Sequence, residues 1–171
     1  MDSVTSKDGT IITYDQLGQG APAILVSGAS ADRQANLPLA EALKQHFTIF
    51  NYDRRGRGAS GDTPPYAVER EIEDIDAVIG AAGGSAFLVG FSSGASLSLE
   101  AAASGLAIRK LALWEPPYIV EGSRPRPPVD NAKTLIDLVA AGRRGDAVEF
   151  FMVEIVGLSP EVVSDARKQP S

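Results

Sequence analysis

Residues Phe87–Ser96 read FLVGFSSGAS, an apolar run that ends in Gly90-Phe91-Ser92-Ser93-Gly94. A Gly-x-Ser-x-Gly pattern directly after such a run predicts a strand, a sharp turn and a helix, with Ser92 at the turn. The backbone at that turn is strained and its neighbours must be small, a need that Gly90 and Gly94 meet. The helix opening at Ser93 aims its N-terminal amides and dipole at any negative charge developing beside Ser92, which makes the Ser93 amide one candidate donor. A second amide is expected from the loop after Ala23–Gly28 (AILVSG), that of Ala29.

Strands and helices alternate on both sides of this stretch. SVTSKDGTIITYDQL predicts a hairpin that turns at Asp8-Gly9, with Ile12 and Tyr14 alternating with Thr13 and Asp15. APAILVSG predicts a short buried strand ending at Gly28, followed by a helix through Leu39, Ala42 and Leu43 and a strand at FTIFNYD. Val68, Ile72, Ile75 and Ile79 stand at helical spacing and predict an amphipathic helix over 67–82. SAFLVG, SGASLSLEAAA and IRKLALW continue the alternation. Strands joined by right-handed helical crossovers give an α/β fold, a mostly parallel sheet of about six strands with helices on both faces.

After Trp114 the character changes. EPPYIVEGSRPRPPVDN holds five prolines and reads as a linker, residues 119–129, between a core at 1–118 and a helical segment at 130–171. Three helices are expected there. The first runs from about Asp130 to Gly142, with Leu135, Ile136 and Val139 on one face. The second opens at Asp146 with Glu149 three residues on, a capping box, and stops at Gly157. The third starts at Ser159-Pro160, an N-cap followed by proline.

Composition narrows the function classes. A formal net charge of −6 gives little support to a nucleic-acid or anionic-membrane partner. The chain has no cysteine and one histidine, which removes disulfides and leaves no ligand set for zinc, so no metal or cofactor is expected. The N-terminus lacks an apolar signal region, and the expected setting is cytoplasmic.

The motifs taken together resemble the α/β-hydrolase fold family. YDRRGRGAS is similar to that family's Asp-x-Arg-Gly-x-Gly-x-Ser loop after the fourth strand, carried here by Asp53, Arg55, Gly56, Gly58 and Ser60. VSGAS stands where many members have His-Gly, so the resemblance maps Gly28 and Ala29 to the oxyanion loop. LWEPPY resembles the end of the sixth strand, where a helical cap begins. The resemblance implies a sheet of eight strands, an acid after the seventh and a histidine after the eighth. Six strands and a partial helical cap are expected here, as in the N-terminal portion of a longer chain.

His46 precedes the strand at 47–52, at the end of the sheet where parallel strands begin, whereas Ser92 lies where they finish. A six-residue strand separates those levels by roughly 20 Å, far beyond the reach of about 3 Å that a general base needs. His46 is therefore expected to be a helix-end or surface residue. No lysine follows a serine at Ser-x-x-Lys spacing. Glu115, after the sixth strand, occupies a position where some relatives carry the acid. With no histidine to orient, a structural carboxylate at a proline-marked turn is the favoured reading.

GRGASG at Gly56–Gly61 is a literal Gly-x-Gly-x-x-Gly, but Pro64-Pro65 follows and forbids the immediate helix that a dinucleotide site needs. Arg54, Arg55 and Arg57 are expected in a solvated or salt-bridged loop. Glu69, Glu73 and Asp76 are expected on a solvated helix face. Two functional classes follow. One is a serine hydrolase whose partner is a small-molecule acyl substrate, attacked by Ser92; the other is a non-catalytic binding protein on the same scaffold. Ile108–Leu113 is expected to be an edge strand, and AVEFFMVEIV is apolar around most of its circumference, so self-association is expected.

Overall fold

Alternating side chains on the central strands separate two apolar layers. In β3 (Ala21–Val26), Ile24 and Val26 point to one face of the sheet while Ala23 and Leu25 point to the other. The same alternation divides Phe50 and Tyr52 from Phe47 and Ile49 in β4 (Phe47–Tyr52). In β5 (Ala86–Phe91) it divides Ala86 and Leu88 from Phe87 and Val89. Helices α2 (Val68–Ala81) and α3 (Ser93–Ala103) cover the first face through Ile75, Val78, Ile79, Leu97 and Ala101. Helix α1 (Leu37–Leu43) covers the second through Leu39, Ala40 and Leu43. Each fully buried side chain of this size stabilises the fold by about 1.5–3 kcal/mol, so the face carrying α2 and α3 is the deeper core.

This computed structural model describes residues 1–123 and 125–167; Arg124 of the expected linker and the last four residues of the expected helical segment lie outside the described residues. The sheet has six strands in the order β1-β2-β4-β3-β5-β6. Strands β3 to β6 run parallel, while β1 (Asp2–Thr5) and β2 (Ile11–Leu17) form an antiparallel hairpin attached to β4. The expected mostly parallel α/β sheet with helices on both faces is the one observed. The hairpin turns at Asp8-Gly9, where Asp8 Oδ1 accepts from the Thr10 amide at 3.0 Å. Thr13, which alternates with Ile12 and Tyr14, is buried as they are, because the loop after β4 folds over it: its amide donates to Ser60 Oγ at 2.9 Å and its hydroxyl to Ala59 O at 3.0 Å. Strand β6 (Ile108–Trp114) pairs with β5 on one side, and its other edge carries no strand among the described residues.

The chain divides into two compact units, the first Met1–Tyr118 and the second from Ile119 onward. The second contains α4 (Asn131–Ala140), α5 (Arg144–Phe150) and α6 (Pro160–Arg167), and α5 runs on into a π-helical stretch, Phe151–Val156. Gly157 ends that stretch in the left-handed conformation (φ 87°), as its place in the sequence predicts. Ser159 Oγ accepts from the Val162 amide at 3.4 Å, the expected cap of α6.

Two expectations for this unit are corrected. The N-cap of α5 is Arg143, three residues before the expected Asp146, and its side chain makes no capping hydrogen bond. Asp146 accepts from Arg143 Nε at 2.7 Å and Arg167 Nη2 at 3.2 Å, and Glu149 accepts from Arg167 Nη1 at 2.7 Å, so the two carboxylates of the expected capping box are drawn to guanidinium groups. In α4, Leu135 and Leu138 are half-buried while Ile136 and Val139 are exposed, so the packed face is rotated from the one expected.

Candidate active site

The junction of β5 and α3 is a sharp elbow because its glycines let three segments meet. A Cβ on Gly90 would lie 2.6 Å from both Gly94 O and Ser98 Oγ and 2.7 Å from Ala95 Cα. A Cβ on Gly94 would collide with the carbonyls of Val26 and Ser27. Ser92, between them, has φ 50° and ψ −121°, a conformation that side-chain-bearing residues rarely adopt. It is exposed, and its amide donates to Trp114 O at 2.9 Å, which fastens the elbow to the end of β6.

The loop after β3 comes up beside this serine. A Cβ built on Gly28 would lie 3.3 Å from Ser92 Cβ and 3.3 Å from Phe91 O. Ala29 follows directly in the same loop, and Ser93 is the first residue of α3, so its amide has no acceptor within the helix. Ser92, Gly28, Gly90, Gly94 and Ser93 therefore converge at the carboxyl end of the parallel strands, with the Ala29 loop alongside.

Several buried polar groups hold the loop in shape. Asp53, fully buried, accepts from the Arg33 amide at 2.7 Å and the Ala59 amide at 2.8 Å, and pairs with the Arg33 guanidinium. Asn51 Nδ2 donates to Arg33 O at 2.8 Å, and Asn36 Nδ2 to Ser27 Oγ at 2.8 Å. Arg54 makes a forked pair with Glu71 at 2.6 and 2.7 Å, while its Nη1 donates to Ser27 O at 3.1 Å and Ser93 Oγ at 3.0 Å. Burial acts to raise the pKa of Glu71, yet the hydrogen bonds and charge of Arg54 prevail and hold it below the ordinary value. Arg55 pairs with buried Asp74 at 2.7 and 2.8 Å and with Asp8 at 2.8 Å.

These ion pairs settle the reading of the arginine loop: Arg54 and Arg55 are salt-bridged and buried, whereas the Arg57 side chain stays 28% exposed. They also revise the reading of α2. Glu69 and Asp76 are exposed as expected, but Glu73 is drawn in by Arg70 at 2.8 Å and Lys7 at 3.4 Å. Glu71 and Asp74 share the apolar face with Ile75 and Val78, and sequence reasoning missed both. The available signal was their spacing: carboxylates three apart, one turn before buried Ile75 and Val78, facing a loop that supplies two arginines.

The loop Gly56–Gly61 opens no helix; α2 begins at Val68. His46 is exposed and precedes β4 at the opposite end of the sheet. Strand register sets Ile49, Ala23 and Phe87 at one level, which leaves His46 and Ser92 eight residues apart along the strand direction, about 26 Å at the usual strand rise. Glu115 is exposed just past β6, at the same end of the strands as Ser92, with φ 48°. Among the described residues no three His, Cys, Asp or Glu side chains form a group that could hold a metal ion, and no helix is long and apolar enough to cross a membrane.

Comparison with known proteins agrees with this architecture. An alpha/beta hydrolase from Sphaerobacter thermophilus DSM 20745 superposes with a TM-score of 0.96 at 57% identity, covering 99% of this chain and 66% of that one. N-formylmaleamate deformylase of Pseudomonas putida is 34% identical over 114 residues, 64% of this chain and 42% of that protein. Pimeloyl-[acyl-carrier protein] methyl ester esterase of Xanthomonas campestris pv. campestris is 34% identical over 111 residues, again 64% and 42%. The chain thus spans under half the length of these two curated relatives. A model of the family described as "Alpha/beta hydrolase family" matches residues 23–169, across the elbow, the arginine loop and the helical unit, and the chain belongs to that family.

Proposed function

We propose that Ser92 is the nucleophile of a hydrolase acting on an ester or other acyl substrate, a small molecule. The observation that carries this reading is the left-handed backbone of an exposed serine at the head of α3, directly beside the Gly28 loop. Strain of that kind in a side-chain-bearing residue marks a position held for function. In the proposed reaction Ser92 Oγ attacks the substrate carbonyl, forming a C–O bond as its proton passes to a base. The developing oxyanion lies between the amides of Ala29 and Ser93, helped by the positive end of α3. Collapse of the tetrahedral species expels the leaving group, which takes the proton from the base; water, giving its proton to the same base, then attacks the acyl carbon, and the acid leaves as Ser92 Oγ regains a proton. The relatives' names, a deformylase and a methyl ester esterase, fit an acyl substrate.

Among the described residues no base suits this role, since His46 is far away along the strands. The proposal therefore places the triad histidine and acid in sequence outside this chain and treats Glu115 as a structural carboxylate.

Initial rates of p-nitrophenyl acetate hydrolysis at about pH 7 to 8 test the proposal. The 171-residue chain should hydrolyse it feebly, with Ser92→Ala, His46→Ala and Glu115→Gln all close to the parent rate, because members of a triad act as a unit. In a protein carrying the in-frame continuation, turnover should be robust, and Ser92→Ala should lower it by on the order of 10⁶. A stop codon directly after Ser171, or turnover that survives Ser92→Ala in the longer protein, would favour a non-catalytic binding protein on this scaffold.

A further inference from the structure

We infer that Arg54, locked onto Glu71, is a positioning residue that fastens together the two segments carrying the oxyanion-binding amides. The inference rests on the proposed role of those amides and adds what holds them in place. One segment is the end of β3 with its loop, Ser27-Gly28-Ala29; the other is the head of α3, Ser92-Ser93. More than sixty residues separate them in the chain. Arg54 touches both, through one nitrogen: Nη1 donates to Ser27 O at 3.1 Å and to Ser93 Oγ at 3.0 Å.

The rest of the guanidinium fixes that nitrogen. Nε and Nη2 are held by the two oxygens of Glu71 at 2.6 and 2.7 Å, and Tyr66 adds a hydrogen bond to Glu71 at 3.0 Å. A planar fork gripped on two of its corners presents the third in a set direction. Asn51 and Asp53 pin the same loop further along, at Arg33, and Asn36 reaches Ser27 from within it. None of these three hydrogen bonds reaches α3.

Stability gives little reason for such a pair. Both side chains are nearly inaccessible, 5% and 2%, and apolar replacements of a buried ion pair are often neutral or stabilising. What an apolar pair could not supply is a donor shared between two loop segments. With Arg57 3.8 Å from Glu71, two guanidinium groups share this one carboxylate.

The test is ¹⁵N relaxation of the chain and of the double variant Arg54→Met/Glu71→Met, which removes both charges of the pair together and leaves the partly exposed Arg57 to solvent. In the parent, Gly28 and Ala29 should be as ordered as the core strands, with order parameters of about 0.85; in the variant they should fall towards about 0.6 while Ile24 and Leu88 keep theirs. Arg54→Lys keeps a charge for Glu71 but loses the fork, and should loosen the same two residues. Unchanged order at Gly28 and Ala29 in either folded variant, or an equal fall at Ile24 and Leu88, would overturn the inference. These readouts need no turnover, so they stand or fall separately from the role of Ser92. Where Ser92-dependent hydrolysis is measured, the double variant should lower kcat about 10²-fold at little changed KM; an effect confined to KM would count against positioning.

Discussion

Gly28 and Ser92 are in near contact: the position of a side chain on the glycine would be 3.3 Å from the Cβ of the serine. That closeness separates two kinds of glycine at the site. At Gly28 the neighbours need to give by only a few tenths of an ångström, whereas at Gly94 they are the fixed carbonyls of Val26 and Ser27. Gly28→Ala should therefore cost less than about 1 kcal/mol of stability yet crowd Ser92. Gly94→Ala should cost about 1–3 kcal/mol or more through overpacking against backbone. Urea unfolding of both variants checks the order; equal losses would contradict it.

Ser92→Gly should make the chain more stable. Relief of a left-handed, side-chain-bearing backbone is worth about 1–3 kcal/mol, while the added freedom of glycine in the unfolded chain costs about 0.5–1 kcal/mol. The difference favours the variant by about 1 kcal/mol. Ser92→Ala keeps the strain and should melt close to the parent. A glycine variant that unfolds at lower urea than the parent would refute the strain argument.

Acid should loosen the seam between the hairpin, the arginine loop and α2. Asp8 is held well below the usual carboxylate range by the Arg55 hydrogen bond, helped by Thr10. Glu71 is held low by Arg54 against the opposing effect of its burial. For a depressed carboxylate the stabilisation is fully present above the unfolded value and is lost as pH falls through the folded one. Thermal stability should thus be insensitive to these two groups above about pH 5 and decline below about pH 4. Asp8→Asn keeps an acceptor for the Thr10 amide but cannot titrate, so its acid decline should be shallower. An identical decline in both proteins would remove Asp8 from the account.

Self-association of the chain is expected. The outer edge of β6 carries no strand among the described residues, Trp114 at its end is 66% exposed, and an apolar cleft of about 450 Å³ lies among Phe47, Phe87, Val89 and Leu111. Exposed strand edges and apolar patches of this kind recruit further copies. Static light scattering should give a mass above 17.9 kDa that rises with concentration. A constant monomer mass with a sharp cooperative melt would contradict this.

The elbow, the hairpin and the succession of strands and helices along the chain were legible because each depends on short-range pattern. Gly90-x-Ser92-x-Gly94 sits directly after an apolar run, Asp8-Gly9 forms a turn by itself, and β3 to β6 carry continuous apolar stretches. What escaped was decided at long range. Glu71 and Asp74 look like surface residues of an acidic helix until Arg54 and Arg55 are brought against them from seventeen and nineteen residues away. Asp146 and Glu149 have capping-box spacing, but Arg167 arrives from the far end of the unit and competes for both. Local rules hold where no distant charge offers a better partner.

The hydrogen bond from the Ser92 amide to Trp114 O joins the elbow to the outermost strand of the sheet. Whatever pairs with the open side of β6 would therefore act on the same peptide that sets the angle of the Ser92 side chain. By linkage, any change that occupancy of the edge makes in the free energy of the proposed acylation of Ser92 is matched by an equal change that acylation makes in affinity at the edge. The Ser92 amide resonance should therefore report occupancy of the edge.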